Sequence, residues 1–100
     1  MTVWKYIIDL DNVGRDDNID VVMPSGAELL TVARTAPVAQ PDLDTTVTMW
    51  ARVNPNNTRV ERRLRIVGTG NPGANGVYLG TTIHFNGSGV FHIFDLGEQA

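Results

Sequence analysis

Turn-forming residues cut this chain into short apolar stretches at a spacing of roughly ten residues, the spacing of an all-β protein. The breaks are Pro24-Ser25-Gly26, Asn54-Pro55-Asn56-Asn57, a glycine, asparagine and proline run over 68–76, and Asn86-Gly87-Ser88-Gly89. Between them no segment sustains a helical period over about ten residues; apolar and polar side chains alternate instead. The clearest alternation is 46–53, where Val47, Met49, Ala51 and Val53 share one face and Thr48, Trp50 and Arg52 the other. Strands are predicted over 3–10, 19–23, 28–35, 46–53, 58–69, 77–85 and 90–96. An acidic stretch at 11–18 and a segment at 37–45 with two prolines read as loops, and 97–100 is expected to fray. The expected fold is all-β: one domain over residues 1–100, an antiparallel β-sandwich or partly closed barrel of about seven strands.

Composition narrows the function classes. A chain of 100 residues that is 42% hydrophobic builds one core and is not disordered. It has no cysteine, which excludes a disulfide framework, a cysteine-ligated zinc and a thiol nucleophile. No run approaches the roughly 20 apolar residues of a membrane-spanning helix. The opening Met1-Thr2-Val3-Trp4-Lys5-Tyr6 leads straight into a strand-like run, so neither a signal peptide nor a membrane partner is expected. Residues 1–50 carry eight acids against three bases, and residues 51–100 five arginines against three acids, within a net charge of −3. That polarity makes a dipolar surface without the bulk positive charge of a nucleic-acid binder, so nucleic acid is not an expected partner.

An arginine stripe is the feature that most invites a functional reading. Period 2 places Arg59, Glu61, Arg63 and Arg65 on one face and Val60, Arg62, Leu64 and Ile66 on the other. If residues 54–57 close a simple hairpin, Trp50 lies opposite Glu61 and Arg52 opposite Arg59. Trp50, Arg52, Arg59, Arg63 and Arg65 then form one candidate binding face. Tryptophan among guanidinium groups suits a protein hot spot, or a stacked base with its phosphate. The plain alternative is a solvated face whose arginine stems pack on Trp50 and pair with acids of the N-terminal half. For the candidate face, Arg63→Glu with Arg65→Glu is expected to leave folding nearly intact, because both side chains project outward; a large loss of stability would make these arginines structural. Arg62 breaks the apolar face, for which a bulge, an edge position or a subunit contact would each account.

Other constellations are weaker. The glycine loop at 68–76 lacks the lysine and following helix of a phosphate-binding loop, and its glycines suit a wide turn. Asp9, Asp11, Asn12 and Gly14 lack the distal glutamate and flanking helices of a calcium loop. His84 and His92 fall on opposite faces of the last hairpin and do not share a metal, so no metal or other cofactor is expected. Ser25 and Ser88 sit in turns, without the geometry of a nucleophile set, and no catalytic residues are assigned.

The segments Arg65-Ile66-Val67-Gly68-Thr69-Gly70-Asn71-Pro72, Val77-Tyr78-Leu79-Gly80-Thr81 and Val90-Phe91-His92-Ile93-Phe94 occur in order after Trp4-Lys5-Tyr6, Met23-Pro24-Ser25-Gly26-Ala27-Glu28-Leu29-Leu30 and Met49-Trp50-Ala51. In this order and spacing the chain resembles a family of uncharacterised small proteins encoded largely by bacteriophages, notably those of actinobacteria. The resemblance implies no activity. It implies a setting, that of a phage accessory protein acting in the cytoplasm of the host cell.

The resulting expectation is a non-enzymatic protein that binds and modulates a host protein, with self-association into a homo-oligomer. Its alternatives are a small-ligand or nucleotide sponge, which needs Trp50, Arg63 and Arg65 to converge, and a minor virion component. The expected core is Trp4, Tyr6, Leu30, Val47, Met49, Leu64, Ile66, Leu79, Ile83, Phe85 and Phe94.

Overall fold

The computed structural model describes residues 1–35 and 44–100. Alternating β-branched and polar residues set seven strands: β1 (Thr2–Asp9), β2 (Asn18–Pro24), β3 (Glu28–Arg34), β4 (Thr46–Val53), β5 (Arg59–Gly68), β6 (Val77–His84) and β7 (Gly89–Gln99). Each coincides with a predicted strand, with ends shifted by up to three residues. Most of the loop expected over 37–45 lies outside the described residues.

The strands form two antiparallel sheets, one ordered β1-β4-β3 and the other β2-β5-β7-β6, packed as an open sandwich rather than closed into a barrel. Val47, Met49, Ala51 and Val53 of β4 are completely buried against Leu64 and Ile66 of β5 and Ile93 of β7. Trp4, Tyr6 and Leu79 pack on this core from its margin.

The expected hairpin between β4 and β5 does not form. β4 pairs with β1 and β3, whereas β5 pairs with β2 and β7. Residues 54–58 therefore carry the chain from one sheet to the other. Arg59 Nη1 holds that connection by donating to the carbonyls of Pro55 and Asn57, at 2.9 and 2.8 Å. The physical reason is burial. β4 already has a hydrogen-bonded neighbour on each side, so β5 can cover its apolar face only from the opposite sheet.

Two further expectations need correction. Residues 97–99 do not fray: β7 runs to Gln99, which pairs with Glu61, and the Glu98 carboxylate accepts from Gly26 N–H. Ile83 and Phe85 are 56% and 44% exposed. A register shift between Tyr78 and Gly80 exchanges the faces of β6, so that Leu79 points inward but Thr82 and His84 do so beyond it. Phe94 lies on the outer face opposite Arg65, its ring 5.7 Å from that of Tyr78. A shift between Leu29 and Thr31 likewise leaves Leu29 on the core in place of Leu30.

β3 lies across β6 so closely that a Cβ on Gly80 would stand 2.8 Å from Val32 Cγ2. Gly80→Ala is expected to cost about 1–3 kcal/mol, as overpacking of a filled interface does. Adding Val32→Ala should recover part of that loss in thermal melts, because it removes the obstructing methyl group.

Candidate functional site

The arginines of β5 do not surround Trp50. Trp50 and Arg52 lie on the outer face of the three-stranded sheet, and Arg63 and Arg65 on the outer face of the four-stranded sheet, with the core between. Arg59 stacks at 5.4 Å on Trp4, at the crossing between the sheets.

The arginine stripe is tied down within the chain. Arg63 donates twice to Asp20 on β2, at 2.9 and 3.1 Å, and these bonds hold the Asp20 carboxyl below its ordinary range. Arg65 donates to Asn18 Oδ1 at 3.0 Å and to the Gly73 carbonyl at 3.3 Å, which fastens the glycine loop. Beside it, His92 bonds Thr69 Oγ1 through Nε2 and Thr81 Oγ1 through Nδ1, and Thr81 in turn meets the Tyr78 hydroxyl. Arg63 is thus paired with an acid of the N-terminal half and Arg65 with Asn18 and the glycine loop, and neither packs on Trp50 as the solvated alternative also required.

Arg62 points inward and is bound inside the protein. Its Nε and Nη2 donate to both oxygens of Asp95 at 2.9 and 2.7 Å, and its Nη1 to the Ala27 carbonyl at 2.8 Å. The two side chains are 13% and 12% exposed. The position adjoins a register shift between Arg63 and Leu64, so the bulge is present and an internal partner accounts for the charge.

A second buried polar set was not foreseen. His84 Nδ1 bonds Asp44 Oδ1 at 2.9 Å and Nε2 bonds Thr82 Oγ1 at 2.9 Å. Asp44 also accepts from Arg34 Nε at 2.7 Å and Phe85 N–H at 2.9 Å. The Arg34 bond, opposed by burial and helped by Phe85 and His84, holds the Asp44 carboxyl well below the carboxylate range. The order carboxylate, imidazole, hydroxyl is that of a nucleophile relay. Here the hydroxyl and imidazole residues are 2% and 1% exposed, closed to any substrate in this conformation. The set instead ties the start of β4 to the end of β6. In sequence Asp44 falls in a loop 40 residues from His84, so no local pattern joins them.

The acidic turn and the glycine loop meet at a cleft of about 270 Å³, lined in part by Gly14, Asp17, Gly68, Asn71 and Phe91. Its lining carries an acid and no lysine or arginine, a poor setting for phosphate. No metal-holding cluster of three or more His, Cys, Asp or Glu occurs among the described residues.

The remaining constellation is the outer face of β1-β4-β3. Its cross-strand rows are Val3–Arg52–Glu28, Lys5–Trp50–Thr31 and Ile7–Thr48–Ala33. Val3 and Ile7 are 56% and 55% exposed and flank half-buried Trp50 diagonally. Arg52 Nη1 pairs with Glu28 at 3.3 Å across the surface. Lys5 has no ion pair among the described residues. An aromatic anchor between aliphatic side chains, rimmed by charge, is the chemistry of a protein contact. The alternation of Val3, Lys5 and Ile7 was legible in sequence, but nothing local placed β1 beside β4.

The molecule is thus an open β-sandwich with one apolar-centred, charge-rimmed sheet face. A family model matches the whole chain, residues 1–100, and the chain belongs to that family, the domain of unknown function DUF7352. No curated protein and no solved structure matches it.

Proposed function

We propose that this chain is a non-enzymatic binding protein, encoded by a bacteriophage, that engages and modulates a protein of the bacterial host in the host cytoplasm. The observation that carries the binding reading is Trp50 set between exposed Val3 and Ile7, with Lys5 unpaired among the described residues beside it. The partner surface this fits offers an apolar side chain to the indole and a carboxylate to Lys5. Arg52, already paired with Glu28, shapes the rim. The phage setting rests on the resemblance, in the order and spacing of those segments, to a family encoded largely by bacteriophages. A nucleotide sponge is not favoured, because Trp50 does not converge with Arg63 and Arg65.

The test is capture from an actinobacterial lysate followed by titration of the captured protein, purified, against three variants. Trp50→Ala is expected to weaken binding roughly thirtyfold or more, the loss of a hot spot of about 2 kcal/mol. Lys5→Glu should weaken it less and flatten or reverse its dependence on salt, because screening then relieves a repulsion instead of weakening an attraction, and Arg63→Glu, on the opposite face, should leave it unchanged. Binding that ignores Trp50→Ala but falls with Arg63→Glu would overturn the assignment of the face.

A further inference from the structure

β1 hydrogen-bonds to β4 along one side, and the sheet order leaves its other side as an edge. The pairing with β4 is continuous from Thr2 to Asp9, with no bulge. Leu10 N–H donates to Thr45 O at 2.8 Å. Backbone groups of an antiparallel strand alternate in direction, so even-numbered residues of β1 direct theirs at β4. Among the described residues, the N–H and C=O groups of Val3, Lys5, Ile7 and Asp9 therefore face outward without a partner.

Natural edges are blunted by proline, bulges, inward charges or coverage. β3 and β6 each carry a register shift and pack on each other, and β2 ends in Pro24. β1 has only the outward charges of Lys5 and Asp9.

β1 is also complementary to itself. When an antiparallel strand meets its own copy in one continuous sheet, opposed residues share a face, so their numbers share parity. A two-fold axis at Lys5 opposes lysine to lysine, which is repulsive. An axis at Tyr6 sets Lys5 against Ile7 and Val3 against Asp9. An axis at Ile7 sets Lys5 against Asp9 twice, Ile7 against Ile7, and Tyr6 against Ile8 on the core side. It also places the outward backbone groups of odd-numbered residues face to face.

We infer that β1 pairs with β1 of a second copy about a two-fold axis at Ile7, joining two three-stranded sheets into one of six strands. The two Trp50 faces then lie on the same side of the joined sheet. The pairing uses backbone groups and the Lys5 and Asp9 charges, and stands whether or not Trp50 binds a partner.

Sedimentation equilibrium over a wide range of protein concentration tests it. The mass should rise from that of one chain to that of two. Lys5→Asp and Asp9→Lys, each alone, oppose like charges and should each weaken the dimer by at least about tenfold in Kd. Both reversals together should restore it. Asp9 also caps the turn at Leu10–Asn12, so Ile7→Pro is an independent variant: it removes an outward N–H, spares the β4 ladder and should give a monomer. A wild type that stays monomeric, a dimer that survives the single reversals, or a double reversal that fails to restore it would overturn the inference.

Discussion

Arg62→Ala is expected to destabilise this protein by about 3–5 kcal/mol, the loss that follows when one member of a buried ion pair is removed. In a chain of this size that lowers the melting temperature by roughly 15–30 °C. The reason is what stays behind. Asp95, 12% exposed, keeps its charge without the guanidinium that met both its oxygens, and the Ala27 carbonyl loses its donor. The pair matters less than its breaking: Arg62→Met with Asp95→Leu, which removes both charges, should come close to wild type. Thermal melts of the three proteins decide between an obligatory pair and a dispensable arginine. An Arg62→Ala variant within about 1 kcal/mol of wild type, where ordinary substitutions fall, would show that water reaches and solvates Asp95.

The same pair predicts an acid limb. Burial pushes the Asp95 carboxyl up, but the Arg62 hydrogen bonds, Gly97 N–H and the Arg62 charge outweigh it and leave the group below its ordinary value. A carboxyl depressed in the folded state contributes stability above its unfolded pKa and loses it as pH falls through the folded value. Wild type should therefore lose more stability than Arg62→Met/Asp95→Leu as pH drops below about 4. Asp20 and Asp44 are also depressed but are present in both proteins, so the difference between the two curves isolates Asp95.

The second large effect is at Gly76, where the glycine loop enters β6 and Val77 pairs with Asp95. Gly76 has φ of 97°, in the region that side chains avoid. A Cβ there would stand 2.5 Å from the Asp95 carbonyl oxygen and 2.8 Å from Leu96 Cδ2. Left-handed strain of about 1–3 kcal/mol and overpacking of about 1–3 kcal/mol both apply to Gly76→Ala. Gly70 is the control, with φ of 90° and nothing within 4 Å of its would-be Cβ. Gly76→Ala should cost at least about twice as much as Gly70→Ala in denaturant titrations, since only it adds the clash. Equal losses would mean that the loop shifts freely and that the contact with Asp95 does not hold β6 in register.

How much of this was readable from residues alone depended on the range of the interaction. The strands were legible because alternation and turn chemistry act over two to four neighbouring residues. Val47 and Met49 were recognisable as core because they stand in an unbroken alternation, and Leu64 and Ile66 because the apolar face resumes after Arg62. Ile83 was misplaced because the bulge at Tyr78 and Gly80 resets the alternation at no cost visible in the local sequence. The inward charge of Arg62 was visible as an anomaly; that Asp95, 33 residues further on, answers it was not.

The sequence by itself determined the all-β class, the seven strands and the faces of those strands with unbroken period. Tertiary structure alone decided which strands are neighbours, and with that the separation of Trp50 from Arg63 and Arg65. A strand's side chains specify what its faces bury, while its backbone edges are nearly identical from strand to strand. β4 followed by β5 could close a hairpin or cross to the other sheet with the same residues in the turn. The choice fell to the burial of β4's apolar face against Leu64, Ile66 and Ile93, which no local stretch of sequence contains.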